Sequence, residues 1–530
     1  MAESQFSLNF LSIPTIPKMI KDYLSGGLSN LHSPLFSKEN ALYQAAIKAE
    51  NYSLHHRKVL SEVLGEQMQS LPLSELQKEN LQNLQQKNTF TVVTGHQLNL
   101  FTGPAYFIYK ILQVVKTTNF LNQNSENKKF VPLFWMASED HDFEEINHFK
   151  TTNHYYFTNE KSGDAVGRIE ISDNKFINDF IKEFEDCVFG TELIRWIQEA
   201  YANGNTFSKA TQLLVNRIFG EYGLLILDAD DRRLKTLVQP VFEKELLQEH
   251  LYQSTHETVE QLREKYGKVQ VNPREINLFY FNEGKRNRIE KEGNHFAIVD
   301  TEIKFSKEEL LRELRDFPER FSPNAVLRPV YQETILPNIL YIGGNAEIMY
   351  WLELKKGFDG LNLPFPILLP RNSFAMISKK NFDKMKKLGL KVEDFFGNYE
   401  ETVHRKLLEN TPLDPFLNEK EQEVISIFEA LEEKAKLTDK TFENLVSAEK
   451  KRQLKSYKKM KKRLLRAEKI VQGDLYQRFN LLYEEINPGG IWQERTLNFS
   501  EFYADEGKDW IANCYQNTQI EKPQLAILII

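Results

Sequence analysis

TFTVVTGHQLNLFTGPAYFIYK, residues 89–110, is the stretch on which the fold turns. Phe90, Thr91, Val92, Val93 and Thr94 are β-branched or aromatic, the composition of a buried strand. The pattern then changes. Gly95 and Gly103-Pro104 bracket a mixed loop, after which Ala105, Tyr106, Ile108, Ile111, Leu112 and Val115 recur at helical spacing behind a proline suited to a first helical turn. Strand, glycine loop and helix make the opening half of a βαβ unit. In such units ligands lie beyond the carboxyl end of the strand, where amides at the helix start hold phosphate or carboxylate. The loop is neither a Walker A sequence nor GxGxxG. Its composition therefore carries the reading. Thr94, Gly95, His96, Gln97, Asn99 and Gly103 are candidates for holding a nucleotide or another anion. The plainer alternative is that the glycines shape a tight connection and the polar residues cap the helix.

FVPLFWMA, residues 130–137, reads as a second strand, and its unbroken apolar run suits a parallel strand buried on both faces. Directly after it, SEDHDFEEINH, residues 138–148, places five carboxylates and two imidazoles in eleven positions. Acids and histidines at a strand's carboxyl end can ligate a divalent metal, act as general bases or hold an amine. Glu139, Asp140, His141 and Asp142 are the catalytic candidates. Asp142, Glu144 and Glu145 have a second reading as acids that favour the start of a following helix. GLLILD, residues 223–228, is a further buried strand whose terminal acids read as a helix cap. NLFYFNEG, residues 277–284, has hairpin character, and the basic GKRNR at 284–288 reads either as a cluster that meets a phosphate or, the more usual case, as a solvated turn.

Residues 326–373 repeat the theme. YIGGNAE, residues 341–347, carries a strand into glycines and then a helix, and PFPILLP, residues 364–370, ends in Arg371-Asn372-Ser373. If these strand ends share one sheet edge, Arg371 supplies a cation for an anionic ligand. Paired with a core acid instead, it is structural. Tyr331, Gln332, Glu347, Arg371 and Asn372 are the substrate-binding candidates. Thr94, Asp140 and Arg371 opening onto unrelated surfaces would end this reading.

At 530 residues, with 41% hydrophobic and 27% charged residues, the chain is long enough for a large core and more than one domain. A net charge of −7 gives no whole-protein case for nucleic acid or a membrane surface. Cys187 and Cys514 stand alone, without disulfide or zinc spacing, and no dedicated metal site can be read. No leader pattern or membrane-length apolar run is present, so a cytoplasmic protein is expected. Residues 1–88 read as mostly helical after Pro14 and Pro17, and the apolar last segment, LAILII, as a final strand.

Past Pro415 the periodicity becomes helical and long. Val424, Phe428, Leu431 and Ala435 recur at three and four, and after Thr438-Asp439 a second pattern runs to Ile486. Two helices of an antiparallel coiled coil are expected, the second about 70 Å long at 1.5 Å per residue. Residues 450–469 hold eleven basic residues and one acid, but only one ring, Tyr457. Pairing with the glutamate-rich first helix, or dimerisation, is preferred to nucleic-acid binding.

Taken in order, TGHQLNLFTGP (94–104), PLFWMASEDHDFEEINH (132–148), LRPVYQETILP (327–337), GGNAEIMYW (343–351), PRNS (370–373), the coiled coil and PGGIWQER (488–495) resemble the bacillithiol-biosynthesis cysteine-adding enzyme family. The resemblance implies a Rossmann-like parallel-sheet core with N-terminal helices and inserted segments over 1–415. It further implies an antiparallel coiled coil over 416–487, used for homodimerisation, and a segment over 488–530 that returns to the core. It implies a ligase that adds L-cysteine to glucosaminyl-malate in the last step of bacillithiol synthesis by ATP-dependent amide formation, with Mg²⁺ accompanying ATP. The family often has glutamine where His96 stands, and neither an HxGH nor a KMSKS signature is present, Ser378-Lys379-Lys380 being a faint echo. The alternative function is a coiled-coil nucleotide-binding protein, a synthetase relative acting on RNA.

Overall fold

The run TFTVVTGH forms a strand, β1 (Thr89–His96), at the middle of a five-stranded sheet whose other members are β2 (Lys129–Met136), β3 (Leu225–Asp228), β4 (Asn338–Gly343) and β5 (Ile367–Pro370). Their order is β5-β4-β1-β2-β3, and every pair is parallel. All five carboxyl ends therefore share one edge, and the order reverses between β1 and β4, the position at which doubly wound sheets open a crevice. The strands are buried on both faces, as their continuous apolar runs require. On one face Phe90, Val92, Phe130, Ile339, Ile342, Ile367 and Leu369 pack with Val114 and Leu121 of helix α1 (Tyr106–Gln123). Burying each such side chain contributes about 1.5–3 kcal/mol.

The computed structural model describes residues 5–160, 164–409 and 411–530, which divide into two units. The first takes in the residues up to Ser12, Ile16–Met376 and Gln493–Ile530, and the second Ile13–Thr15 and Ile377–Trp492. Ahead of β1, helices Lys18–Leu24, Lys38–Asn51, Leu54–Met68 and Glu75–Leu84 form, the last started by a reciprocal Ser74 and Gln77 capping box. They follow a short strand, Gln5–Asn9, inside the region read as helical. That strand pairs antiparallel with the apolar tail Gln524–Ile529, which is the central strand of a three-stranded sheet completed by Ser373–Ile377. Between β3 and β4 lies an antiparallel sheet built on the hairpin of Leu278–Asn282 and Lys285–Glu292. This insertion, helix α2 (Arg232–Gln248), helix α3 (Arg328–Ile335) and helix α4 (Asn345–Glu353) complete the surroundings of the sheet's carboxyl edge.

The second unit contains α5 (Leu413–Ala435), α6 (Lys440–Val471) and α7 (Gly473–Ile486). Lys450 reaches Glu432 at 2.9 Å and Lys461 pairs with Glu421, so residue numbers rise along α6 as they fall along α5 and the pair is antiparallel. The single long second helix expected from periodicity is interrupted. Gln472 leaves helical geometry at φ −100° and ψ 36°, and Gly473, a poor helix former, follows it. At 32 residues α6 spans about 48 Å at 1.5 Å per residue.

Candidate active site

At the reversal between β1 and β4 the strand ends and the hairpin enclose a cavity of about 480 Å³. Its wall carries four arginines, Arg286, Arg328, Arg371 and Arg495, and three acids, Glu139, Asp140 and Glu347. Which of these charges are free follows from what stands behind each.

The acids are all answered from within the protein. Glu347 Oε1 accepts from the Tyr341 hydroxyl at 2.6 Å, and Oε2 accepts from Lys110 Nζ at 2.6 Å and the Gly344 amide at 2.8 Å. Burial would raise its pKa, but Lys110 and these hydrogen bonds outweigh it and hold the carboxyl at about 2. Lys110, almost wholly buried on α1, also donates to the Gly95 carbonyl at 2.6 Å, tying the end of β1 to the start of α4. Asp140 accepts from the His141 amide at 2.8 Å and from Gln97 Nε2 at 2.9 Å. Against its burial, these bonds and Arg286 depress its pKa below the usual carboxylate range. Glu139 faces the buried ammonium of Lys235 at 2.6 Å.

The arginines are less balanced. Arg371 makes a bidentate pair with buried Glu494, at 3.0 and 2.8 Å, so its charge is already answered. Arg286 donates to Ser322 Oγ, the Pro323 carbonyl and His141 Nδ1 and lies over the Phe279 ring, while Arg328 donates to the Tyr350 hydroxyl at 2.5 Å. Among the described residues neither these two nor Arg495 is ion-paired with a carboxylate. Three guanidinium groups without an ion pair thus add positive charge to the cavity, beside the first residues of α4, Asn345 and Ala346, with Arg286 facing Glu139 and Asp140 and Arg328 facing Glu347 at longer range.

The cavity gathers Gly95, His96, Gln97, Glu139, Asp140, His141, Glu347 and Arg371 from the residues singled out in sequence. His96 is neutral there, since burial and then Lys110 lower its pKa to about 3, and its Nε2 is buried without a partner. Gly95 permits the approach of Arg328, whose Nη1 would lie 3.1 Å from a Cβ at that position. The other candidates lie elsewhere. Thr94 is fully buried and its hydroxyl donates to the Ile342 carbonyl at 2.7 Å, joining β1 to β4 under the cavity floor. The loop after Gln97 turns inward, because Leu100 and Phe101 are apolar and pack into the core. Asn498 clamps it through the Phe101 and Gly103 carbonyls at 2.8 and 2.6 Å. Gly103 has φ +66°, and a Cβ there would meet Asn99 at 2.7 Å, so Asn99 and Gly103 shape the turn and do not line the cavity. The α1 start is closed as well, its Ala105 amide donating to the Leu497 carbonyl at 2.8 Å. Asp142 is exposed at the cap of the short helix Phe143–Ile146 and does not line the cavity.

Tyr331 and Gln332 are buried in α3. The Tyr331 hydroxyl donates to the Ala229 carbonyl at 2.7 Å and Gln332 donates to Glu333 at 3.0 Å, so both serve the core behind the site. Asn372 is fully buried against Gln113. Arg328, Arg495, Lys110 and Lys235 are not among the residues singled out in sequence, and Arg286 is there only as a member of the basic cluster at 284–288. For the two lysines a signal exists, a lone cation in an otherwise apolar helical stripe. Arg286 belongs to a basic run open to a phosphate or to solvent, and its hydrogen bond to His141, in the segment after β2, gives its place.

Comparison with known proteins agrees with this architecture. The models described as "Bacillithiol biosynthesis BshC, N-terminal Rossmann-like domain" and "Bacillithiol biosynthesis BshC, C-terminal coiled-coil domain" match residues 6–372 and 374–530. Relatives named "Putative cysteine ligase BshC" include one from Flavobacterium johnsoniae, 40% identical and covering 93% of this chain and 94% of its own length. Another, from Christiangramia forsetii, is 40% identical and covers 93% of each, and one from Staphylococcus carnosus is 30% identical over 88% of this chain and 89% of its own. A solved structure described as a "putative arginyl t-RNA synthetase" from Campylobacter jejuni aligns at a TM-score of 0.21 and 11% identity over 83% of this chain and 97% of that one, a likeness too loose to carry an argument. With both domain models matched in order along a parallel-sheet unit and a coiled-coil unit, the chain belongs to the bacillithiol biosynthesis BshC family, a ligase family.

Proposed function

We propose that the protein joins the carboxyl group of L-cysteine to the amine of glucosaminyl-malate, with ATP consumed to activate the carboxyl, as the last step of bacillithiol synthesis. One observation carries the reading. A single cavity holds three arginines without carboxylate partners, while each of its acids is already engaged by the protein. Such a cavity suits ligands bearing several negative charges, as the phosphates of a nucleotide and the malyl carboxylates do. A free carboxylate in water does not acylate an amine, so the reaction needs a phosphate ester or anhydride as leaving group, and ATP supplies it. Mg²⁺ enters with the nucleotide as the counter-ion of its phosphates.

In this reading Arg286, Arg328 and Arg495 bind anionic groups, aided by the Asn345 and Ala346 end of α4. Glu139, Asp140 and His141 line the same cavity, which supports giving them the handling of the amine and the carboxyl. Neutral His96 lines the wall without adding charge. The reaction belongs to the cytoplasm, where ATP and free cysteine are available. Two copies associate through α5 and α6, a reading supported by the exposed Ile427, Leu431 and Leu445. The pairing of Lys450 and Lys461 with α5 acids gives part of the basic stretch an intrachain role without nucleic acid.

The test mixes purified protein with cysteine, glucosaminyl-malate and ATP and follows the condensation product by mass. Product appearing only with all three, in step with ATP consumption, is the expected result. No product under any nucleotide condition overturns the proposal.

A further inference from the structure

Two of the cavity's acids have both carboxylate oxygens occupied as acceptors, Glu347 by Tyr341, Lys110 and Gly344, and Asp140 by His141 and Gln97. Either must give up a bond to take a proton. Glu139 differs. Its Oε1 is buried against Lys235, and no described residue donates a hydrogen bond to Oε2, which stands at the cavity wall. Among the described acids of the cavity it has the free acceptor oxygen.

What fixes Glu139 is a buried charge cluster the reaction has not yet needed. Lys235 on α2 has no exposed surface and lies between Glu139, from the end of β2, and Asp230, from the end of β3, at 2.6 and 3.0 Å. Asp230 is held in turn by Arg168 through two hydrogen bonds of 2.7 and 2.9 Å. The Lys235 ammonium also lies 5.4 Å from the Phe281 ring centroid and donates to the Glu319 carbonyl. The charged groups facing Glu139 are therefore Lys235 from α2, Asp230 from the turn after β3, Arg286 from the hairpin and Arg168 beyond Asp230. Burying an ammonium this completely is costly unless it is fully paired, and here the pairing joins two strand ends of the catalytic edge. Burial raises the Glu139 pKa; Lys235 pulls it down and Asp230 lifts it again, leaving it above the ordinary range, unlike its two saturated neighbours.

We propose that Glu139 is the catalytic base that receives the proton of the substrate amine, and that Lys235 is the positioning residue that holds it for that task. The assignment rests on the ligase reading above, with ATP as the activating co-substrate. The amine arrives as an ammonium ion and gives one N–H proton to Glu139 Oε2, regaining its lone pair. That pair forms the C–N bond at the activated cysteine carbonyl carbon. The C–O bond to the phosphate-bearing leaving group breaks with its electrons on oxygen, and the second nitrogen proton passes to solvent.

The experiment compares wild type, Glu139→Gln, Lys235→Arg and Lys235→Met across pH with two nucleophiles, glucosaminyl-malate and hydroxylamine, which is neutral at pH 7. Glu139→Gln is expected to lower kcat about 100-fold or more with the amine and far less with hydroxylamine, which needs no base. Glu139 acts only when ionised, so the rate falls as pH drops through its pKa. Removing the cation in Lys235→Met raises that pKa and moves the acid limb to higher pH, whereas Lys235→Arg keeps it near its wild-type place. Equal losses with both nucleophiles in Glu139→Gln overturn the base assignment even if Lys235→Met fails to fold. An unmoved acid limb in folded Lys235→Met overturns the role of Lys235. A wild type that makes neither product removes the ligase reading itself, a result distinguishable from both.

Discussion

Arg371 and Glu494 show how a residue recognised by type acquires its role from a distant partner. Arg371 leaves β5 at the cavity, yet its guanidinium is paired with a carboxylate 123 positions later in the chain, with side-chain exposures of 4% and 0%. Glu494 also accepts from Ser373 and the Phe374 amide, fixing the PGGIWQER segment so that Arg495 reaches the cavity. Removing one member of such a pair strands a buried charge. Arg371→Met is expected to cost about 3–5 kcal/mol in urea unfolding, and adding Glu494→Gln to recover part of it; a double variant no more stable than Arg371→Met would show that the stranded carboxylate is not the cause. Sequence alone marked Arg371 as either a ligand cation or a structural one, and the structure gives it a partner without removing it from the wall. It left Arg286 open between a phosphate contact and a solvated turn, and it did not mark Arg328. Their meaning depends on a hairpin returning to β2 and on Gly95 leaving room for a guanidinium, neither of which is local.

Elements were more legible than their arrangement. The strand, loop and helix of residues 89–123 and the strand before Ser138 follow from β-branched runs and helical spacing, because those signals are local. The order β5-β4-β1-β2-β3 depends on pairing between strands more than two hundred residues apart, as in Thr91 with Asn338. The second half of the loop after Gln97 differs from its sequence reading for a similar reason. Asn99 and Gly103 look available to a ligand until Asn498, supplied by the tail, is seen to hold the turn. The tail strand Gln524–Ile529 illustrates the converse, since its apolar composition alone demanded burial. It is the middle of its sheet, and Ile527 is fully buried. Ile527→Ala is therefore expected to cost about 2–5 kcal/mol, read from the urea midpoint at unchanged slope; a loss below about 1 kcal/mol would mean that the sheet does not depend on it.

At the scale of the whole molecule, residues from β1 and β2, from the segments directly after β4 and β5, from the start of α3, the hairpin and the tail segment meet around one cavity. None of these segments carries a recognisable site by itself. Several of the motifs each supply part of that wall, and the two family models together cover the parallel-sheet unit and the coiled-coil unit. In the proposed reaction the arginines without an ion pair at the sheet's carboxyl edge receive the anionic groups of the reactants. A crystal structure of the protein with glucosaminyl-malate and a non-hydrolysable ATP analogue measures this most directly. Carboxylate and phosphate oxygens within hydrogen-bond distance of Arg286, Arg328 and Arg495, with the amine near Glu139, are the expected result. Both ligands bound elsewhere, with only water against these three guanidinium groups, would contradict it.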